Sequence, residues 1–97
     1  MAPLLVWSEE KNALLKSQAE RAISFEAIAA SIAQGGLLDV LAHPNRERYP
    51  DQKILVVQIR DYVYAVPSVE QAKGTWFLKT AFPSRRLTKL YATRTGR

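Results

Sequence analysis

Ninety-seven residues suffice for one domain with one modest core, burying roughly 60–70% of the surface that the unfolded chain exposes, and exclude a second domain. A hydrophobic share of 47% with 24% charged residues excludes wholesale disorder and fibrous repeats, and the absence of cysteine excludes disulfide frameworks and thiolate metal sites. The net charge of +5 is concentrated at one end of the chain and points to a polyanionic partner.

The opening MAPLLVW is a short apolar run without a positive flank, followed at once by Ser8, Glu9 and Glu10, which is not the pattern of a signal peptide. Nor does any stretch approach the roughly 18 apolar residues of a membrane span, so a cytoplasmic location is expected. Ser8 suits an N-cap, with two acids in the first turn where the helix dipole favours them. The spacing of Leu14, Leu15, Ala19 and Ala22 predicts an amphipathic helix over 8–22. Ser24 is a second N-cap candidate, and Phe25, Ile28, Ala29 and Ile32 predict a helix over 24–34 that stops at Gly35-Gly36. A short turn around Ala22 and Ile23 would make the pair a compact helical hairpin.

Beyond Gly36 the period shortens to that of strands. LLDVLAH, KILVVQI (53–59), YVYAVPSV (62–69) and TWFLKTAF (75–82) read as four strands, forming a sheet over about 37–82. Only Arg60 and Asp61 separate the second and third, which predicts an antiparallel hairpin. Alternation puts Leu55, Val57 and Ile59 on one face and Ile54, Val56 and Gln58 on the other. Both faces are apolar enough to need cover: the helices for one, the C-terminal segment or a partner for the other. Pro67 marks an edge or a bulge, because it cannot donate to a ladder. Within the last strand, Lys79 is placed with Phe77 and Ala81, opposite Trp76 and Leu78. The fold class expected is therefore α+β, with two N-terminal helices packed on a four-stranded, mainly antiparallel sheet. Residues 83–97 are expected to be a basic strand end running into a frayed tail.

From Gln71 onward there are seven bases and no acid, whereas the first seventy residues hold seven bases against nine acids, a net of −2. Clustered cations gain by releasing condensed counterions from a nucleic acid. With one histidine and scattered carboxylates, no metal site or bound cofactor is expected. Gly35-Gly36 follows a helix and precedes a strand, the reverse of a phosphate-binding turn. Ser84 has no neighbouring base and is a poor nucleophile.

The remaining chemistry lies in Lys79, Arg85, Arg86, Lys89 and Tyr91, with His43 in the turn-rich HPNRERYPDQ. Phosphodiester cleavage in RNA needs charge stabilisation on the phosphorane and proton transfer at the 2′ and 5′ oxygens. Arginine supplies the first, and lysine, tyrosine or histidine can take part in the second. Arg85 is the first candidate for the scissile phosphate, Arg86 and Lys79 for electrostatic assistance, and Tyr91 or His43 for carrying a proton. Arg86, Lys89 and Arg94 are the further candidates for RNA binding. A non-catalytic module that holds RNA or an acidic protein on the same segment accounts for the same charge.

The stretch from Trp7 to Ile28, with Lys11-Asn12 and then Ile23-Ser24-Phe25-Glu26, resembles the N-terminal signature of the BrnT family of bacterial toxins. The closing KTAFPSRRLTKLY is similar to that family's last strand and its Ser-Arg element leading to a terminal Tyr. The resemblance implies a compact RelE-like fold, a ribonuclease that arrests translation, and a cognate antitoxin, often of the ribbon-helix-helix type. It singles out Ser84-Arg85 within the basic segment.

Overall fold

The computed structural model describes residues 4–18 and 23–92. The class is α+β, with three helices and a mixed sheet among the described residues. In chain order the elements are β1 (Leu4–Trp7), α1 (Glu9–Lys16), α2 (Phe25–Ala33), β2 (Leu37–Ala42), β3 (Gln52–Ile59), β4 (Tyr62–Ala72), β5 (Thr75–Leu78), β6 (Phe82–Pro83) and α3 (Arg85–Ala92). The sheet runs β1-β5-β4-β3-β2, and β6 also pairs with β4. The four expected strands form its antiparallel part, β5-β4-β3-β2, with β2 at the sheet's outer edge. The chain also contributes β1, parallel to β5, from the apolar run before the first helix.

Ser8 caps α1 by accepting the Lys11 N–H at 3.3 Å, and Ser24 caps α2 by accepting the Ala27 N–H at 3.0 Å. The first helix is shorter than its sequence pattern: it stops at Lys16, capped by Ser17. Ala19 and Ala22, predicted on its packed stripe, lie outside the described residues. Leu14, predicted on the same stripe, is exposed. What ties α1 to α2 is instead the buried Asn12. Its Oδ1 accepts the Phe25 N–H at 2.8 Å, and its Nδ2 donates to Glu26 Oε1 at 2.8 Å. The Lys11-Asn12 pair thus contains the polar pin between the helices. That bond, first among its causes, holds the Glu26 carboxyl below its ordinary value of 4.5, with neighbouring Lys16 adding to it.

Gly35 ends α2 with a φ of 94°, in the left-handed region where glycine carries no side-chain penalty. Gly36 is needed for a different reason. A Cβ there would collide with the Ser31 hydroxyl and meet the Gln58 carbonyl at 2.9 Å. The Ser31 hydroxyl itself donates to that carbonyl, so α2 lies directly against the end of β3.

The two sheet faces are covered as alternation requires. Leu55 and Val57, with Val66, Leu78 and partly buried Trp7 and Trp76, pack under Leu15, Phe25, Ile28 and Ile32 of the two helices. On the other face Val56 and Val63 pack with Tyr91, Leu38, Leu41 and Leu87. Hence the second cover is α3, and the expectation of a strand end trailing into a tail is corrected over 85–92.

TWFLKTAF does not form one strand. Its pairing with β4 stops at Leu78, opposite Ser68, and resumes at Phe82, opposite Ala65. Ala81 escapes the expected alternation with Lys79 and enters the first core. Pro67 sits within a central strand, opposite Ile54 of β3. Its carbonyl accepts the Lys79 N–H at 2.9 Å, so its donor-less nitrogen faces the same side, in the interval between β5 and β6. A gap in the ladder accommodates the proline where an edge or bulge was expected.

Candidate functional site

The site is built around α3. Ser84 fixes its start: the hydroxyl accepts the Leu87 N–H at 3.1 Å, the carbonyl accepts the Thr88 N–H at 2.9 Å, and its own N–H donates to Val63 O at 2.9 Å. Thr88 Oγ1 accepts the Val63 N–H at 2.9 Å and donates to Ser84 O at 2.7 Å. The serine of the Ser-Arg element is thus a helix cap. Leu87, Thr88 and Tyr91 turn toward the sheet, while Arg85, Arg86, Lys89 and Leu90 form the exposed outer side.

This side breaks a local rule. Arg85 and Arg86 occupy the first turn, where the helix dipole is positive, and no acid accompanies them. Each unfavourable placement costs about 0.3–1 kcal/mol when uncompensated. A bound anion would reverse the sign of that term.

Beside α3 the sheet face stays uncovered, leaving a groove of about 350 Å³. Its apolar floor includes Ile54, Ala65 and Pro67. His43 stands on the β2 side, and Phe82 and Arg86 on the β6–α3 side. Among the described residues that line it, none is acidic. Phe82 keeps 48% of its surface exposed.

The structure therefore sorts the sequence candidates. Arg86 and His43 line one groove. Lys79 is exposed, and its backbone bond to Pro67 O fixes it next to the groove floor. Arg85 is exposed on the helix row it shares with Lys89 and does not line the groove. Arg94 lies outside the described residues. Tyr91, a candidate proton carrier in the sequence, is only 3% exposed, and its hydroxyl donates to Asp39 Oδ2 at 2.8 Å, a part-buried bond that clamps α3 to β2.

His43 is also constrained. Its Nδ1 accepts the Asn45 N–H at 3.0 Å, and its ring packs on Tyr49 with centroids 4.6 Å apart. That bond engages Nδ1 within the 43–45 turn and leaves Nε2 as the ring nitrogen available to a ligand.

The groove floor and Phe82 were missed by sequence reasoning. The legible signal was Pro67 in the middle of a strand, since a ladder gap beside a proline leaves part of the sheet without a neighbour. A second cavity, of about 550 Å³, lies between α2 and the β3–β4 turn. It mixes Lys16 and Arg60 with Asp61 beside the Tyr62–Tyr64 pair, with no convergent charge.

Compared with family models, curated proteins and solved structures, the chain matches none. No helix among the described residues is long and apolar enough to cross a membrane.

Proposed function

We propose that this protein is the toxin of a toxin–antitoxin pair, a BrnT-like endoribonuclease with a RelE-like fold that cleaves RNA in the cytoplasm without a metal and so arrests translation. The observation that carries the reading is that Arg86 and His43 line one groove with no acid among its described lining residues, next to the Arg85–Lys89 row of α3.

Arg86 binds the scissile phosphate and, with His43 Nε2, stabilises the charge that develops on its non-bridging oxygens. Arg85 and Lys89 hold the flanking backbone. Lys79 replaces Tyr91 as the proton carrier. The 2′-oxygen forms a bond to phosphorus as the bond from phosphorus to the 5′-oxygen breaks. The 2′ proton passes to water, and the leaving 5′-oxygen takes a proton from Lys79. The partner is a cognate antitoxin, possessing an acidic segment that competes for the same cations.

Inducible expression with and without the neighbouring gene, followed by growth and RNA integrity, tests the reading. Wild type alone should arrest growth and fragment RNA, and folded Arg86→Ala and Lys79→Ala should not. Intact growth and RNA with wild type alone would remove the toxin assignment.

The groove's apolar floor favours a second reading, a non-catalytic module that holds RNA or an acidic protein. Purified protein that binds RNA with a steep salt dependence and never cleaves it would select this alternative.

A further inference from the structure

We infer that the groove is a nucleobase subsite, in which one unstacked base of single-stranded RNA lies on the Phe82 ring while its phosphate is held by Arg86. The inference rests on the RNA reading above and names a residue and a substrate form that the reading does not require. Cleavage needs cations and a proton carrier; it does not need an exposed aromatic.

Three observations converge. Phe82 belongs to a two-residue strand that pairs with Ala65, so its ring is held by a backbone anchored in the centre of the sheet, yet 48% of its surface is uncovered. A large aromatic left half-exposed beside a guanidinium is the combination that stacks a base and grips its phosphate. The groove, at about 350 Å³, is at the lower end of small-ligand pockets, a size that suits one nucleotide and is small for a helix laid lengthwise. Its charge is one-sided: Arg86 and the neighbouring Lys79 are cationic, none of the described lining residues is acidic, and the chain from Gln71 to Arg97 contains no acid at all. A duplex cannot enter, since its bases are paired and stacked; the substrate is single-stranded or frayed RNA.

Ile54, Pro67 and Leu41 contribute apolar contact without hydrogen-bond readout, so the subsite tolerates any base. The expected preference follows stacking strength, purine over pyrimidine.

The test compares wild type, Phe82→Ala, Phe82→Leu, Phe82→Trp and Arg86→Ala, binding a short single-stranded oligonucleotide made uncleavable by 2′-O-methylation, the same sequence as a duplex, and inorganic polyphosphate. Phe82→Ala and Phe82→Leu should weaken single-strand binding about 5- to 100-fold. The salt slope and polyphosphate binding should stay unchanged, and Phe82→Trp should restore or tighten binding. Arg86→Ala should lower the salt slope by about 0.7 for the lost phosphate contact. Phe82→Leu keeps an apolar side chain at this position, so its loss of binding with an unchanged unfolding transition separates stacking from folding.

If wild type binds no RNA, the RNA reading itself fails. If wild type binds RNA and the Phe82 variants bind equally well, or the duplex binds as tightly as the single strand, the subsite is overturned while the RNA reading stands. If Phe82→Ala leaves RNA binding intact and abolishes capture of the neighbouring gene's product, the groove belongs to a protein partner and the subsite is likewise overturned.

Discussion

The two faces of the sheet are covered by different means. On one, α1 and α2 enclose Phe25, Ile28, Leu55, Val57 and Leu78 in a continuous core; Asn12 and the serine caps satisfy backbone donors at the helix starts, and the buried Trp7 Nε1 is left without a hydrogen-bond partner. On the other, a single eight-residue helix with two arginines in its first turn covers Val56 and Val63 and leaves Ile54, Pro67 and Phe82 beside an open groove. The first face is a closed apolar core. The second tolerates unfavourable charge and exposed aromatic surface, and such departures concentrate where a protein binds something.

Variants that break this contrast should divide by face. The largest effect is expected for Phe25→Ala on the closed face, where the side chain is fully buried against Trp7 with centroids 5.6 Å apart. Its loss should cost about 3–5 kcal/mol, a large share of the total for a domain of this size, measured by chemical denaturation. Asn12→Ala should cost about 1–3 kcal/mol, since it strands the buried Phe25 N–H. It should leave RNA binding unchanged once the protein is folded.

On the open face the effects shift from stability to binding. Tyr91→Phe removes the bond to Asp39 and should cost about 1 kcal/mol in denaturation while leaving cleavage rates intact. A tenfold or greater loss of cleavage in a folded Tyr91→Phe protein would return Tyr91 to the chemistry. Arg85→Ala should leave stability equal or a few tenths of a kcal/mol higher, because a cation leaves the positive end of α3. It should also weaken RNA binding and lower the salt slope by about 0.7. A variant more stable and less functional is the signature of a surface held away from its stability optimum.

The smallest effect concerns pH. Glu26, on the closed side, has its carboxyl lowered chiefly by the Asn12 amide. A lowered folded value contributes stability that is present above the unfolded value and disappears as pH falls through the folded one. The melting temperature of wild type should therefore decline below about pH 4.5 more steeply than that of Glu26→Gln, and Asn12→Ala should remove most of the difference.

Much of the closed face was legible because its signals are local. Ser8 and Ser24 sit before helical apolar spacings, Gly35 follows one, and a two-residue interval separates two β-branched runs. On the open face, alternation marked Ile54 and Val56 as needing cover and offered the C-terminal segment as one possible source, but not the helix that provides it. Leu87, Thr88 and Tyr91 are too few to announce a helix among Arg85, Arg86 and Lys89, and a segment this short is marginal in water without a surface to dock on. β1 was missed for a similar reason: four apolar residues before a helix become a strand only because β5 offers a parallel edge. Lys79 was separated correctly from Trp76 and Leu78, whereas Ala81 was not, because alternation holds only while the ladder continues.

The residue order by itself determined the helix caps, the β3–β4 hairpin, the apolar runs and the charge asymmetry, since each depends on neighbours within a few positions. Tertiary structure decided which of the candidate residues line the groove. It placed Arg86 rather than Arg85 in the groove, gave Tyr91 to the core, turned the acceptor of His43 toward Asn45, and left Phe82 half-exposed beside a proline gap. Those outcomes depend on α3 docking against strands that are distant in the chain, and its pitch and register on the sheet are fixed by Ser84, Thr88 and the contact of Tyr91 with Asp39, 52 residues away.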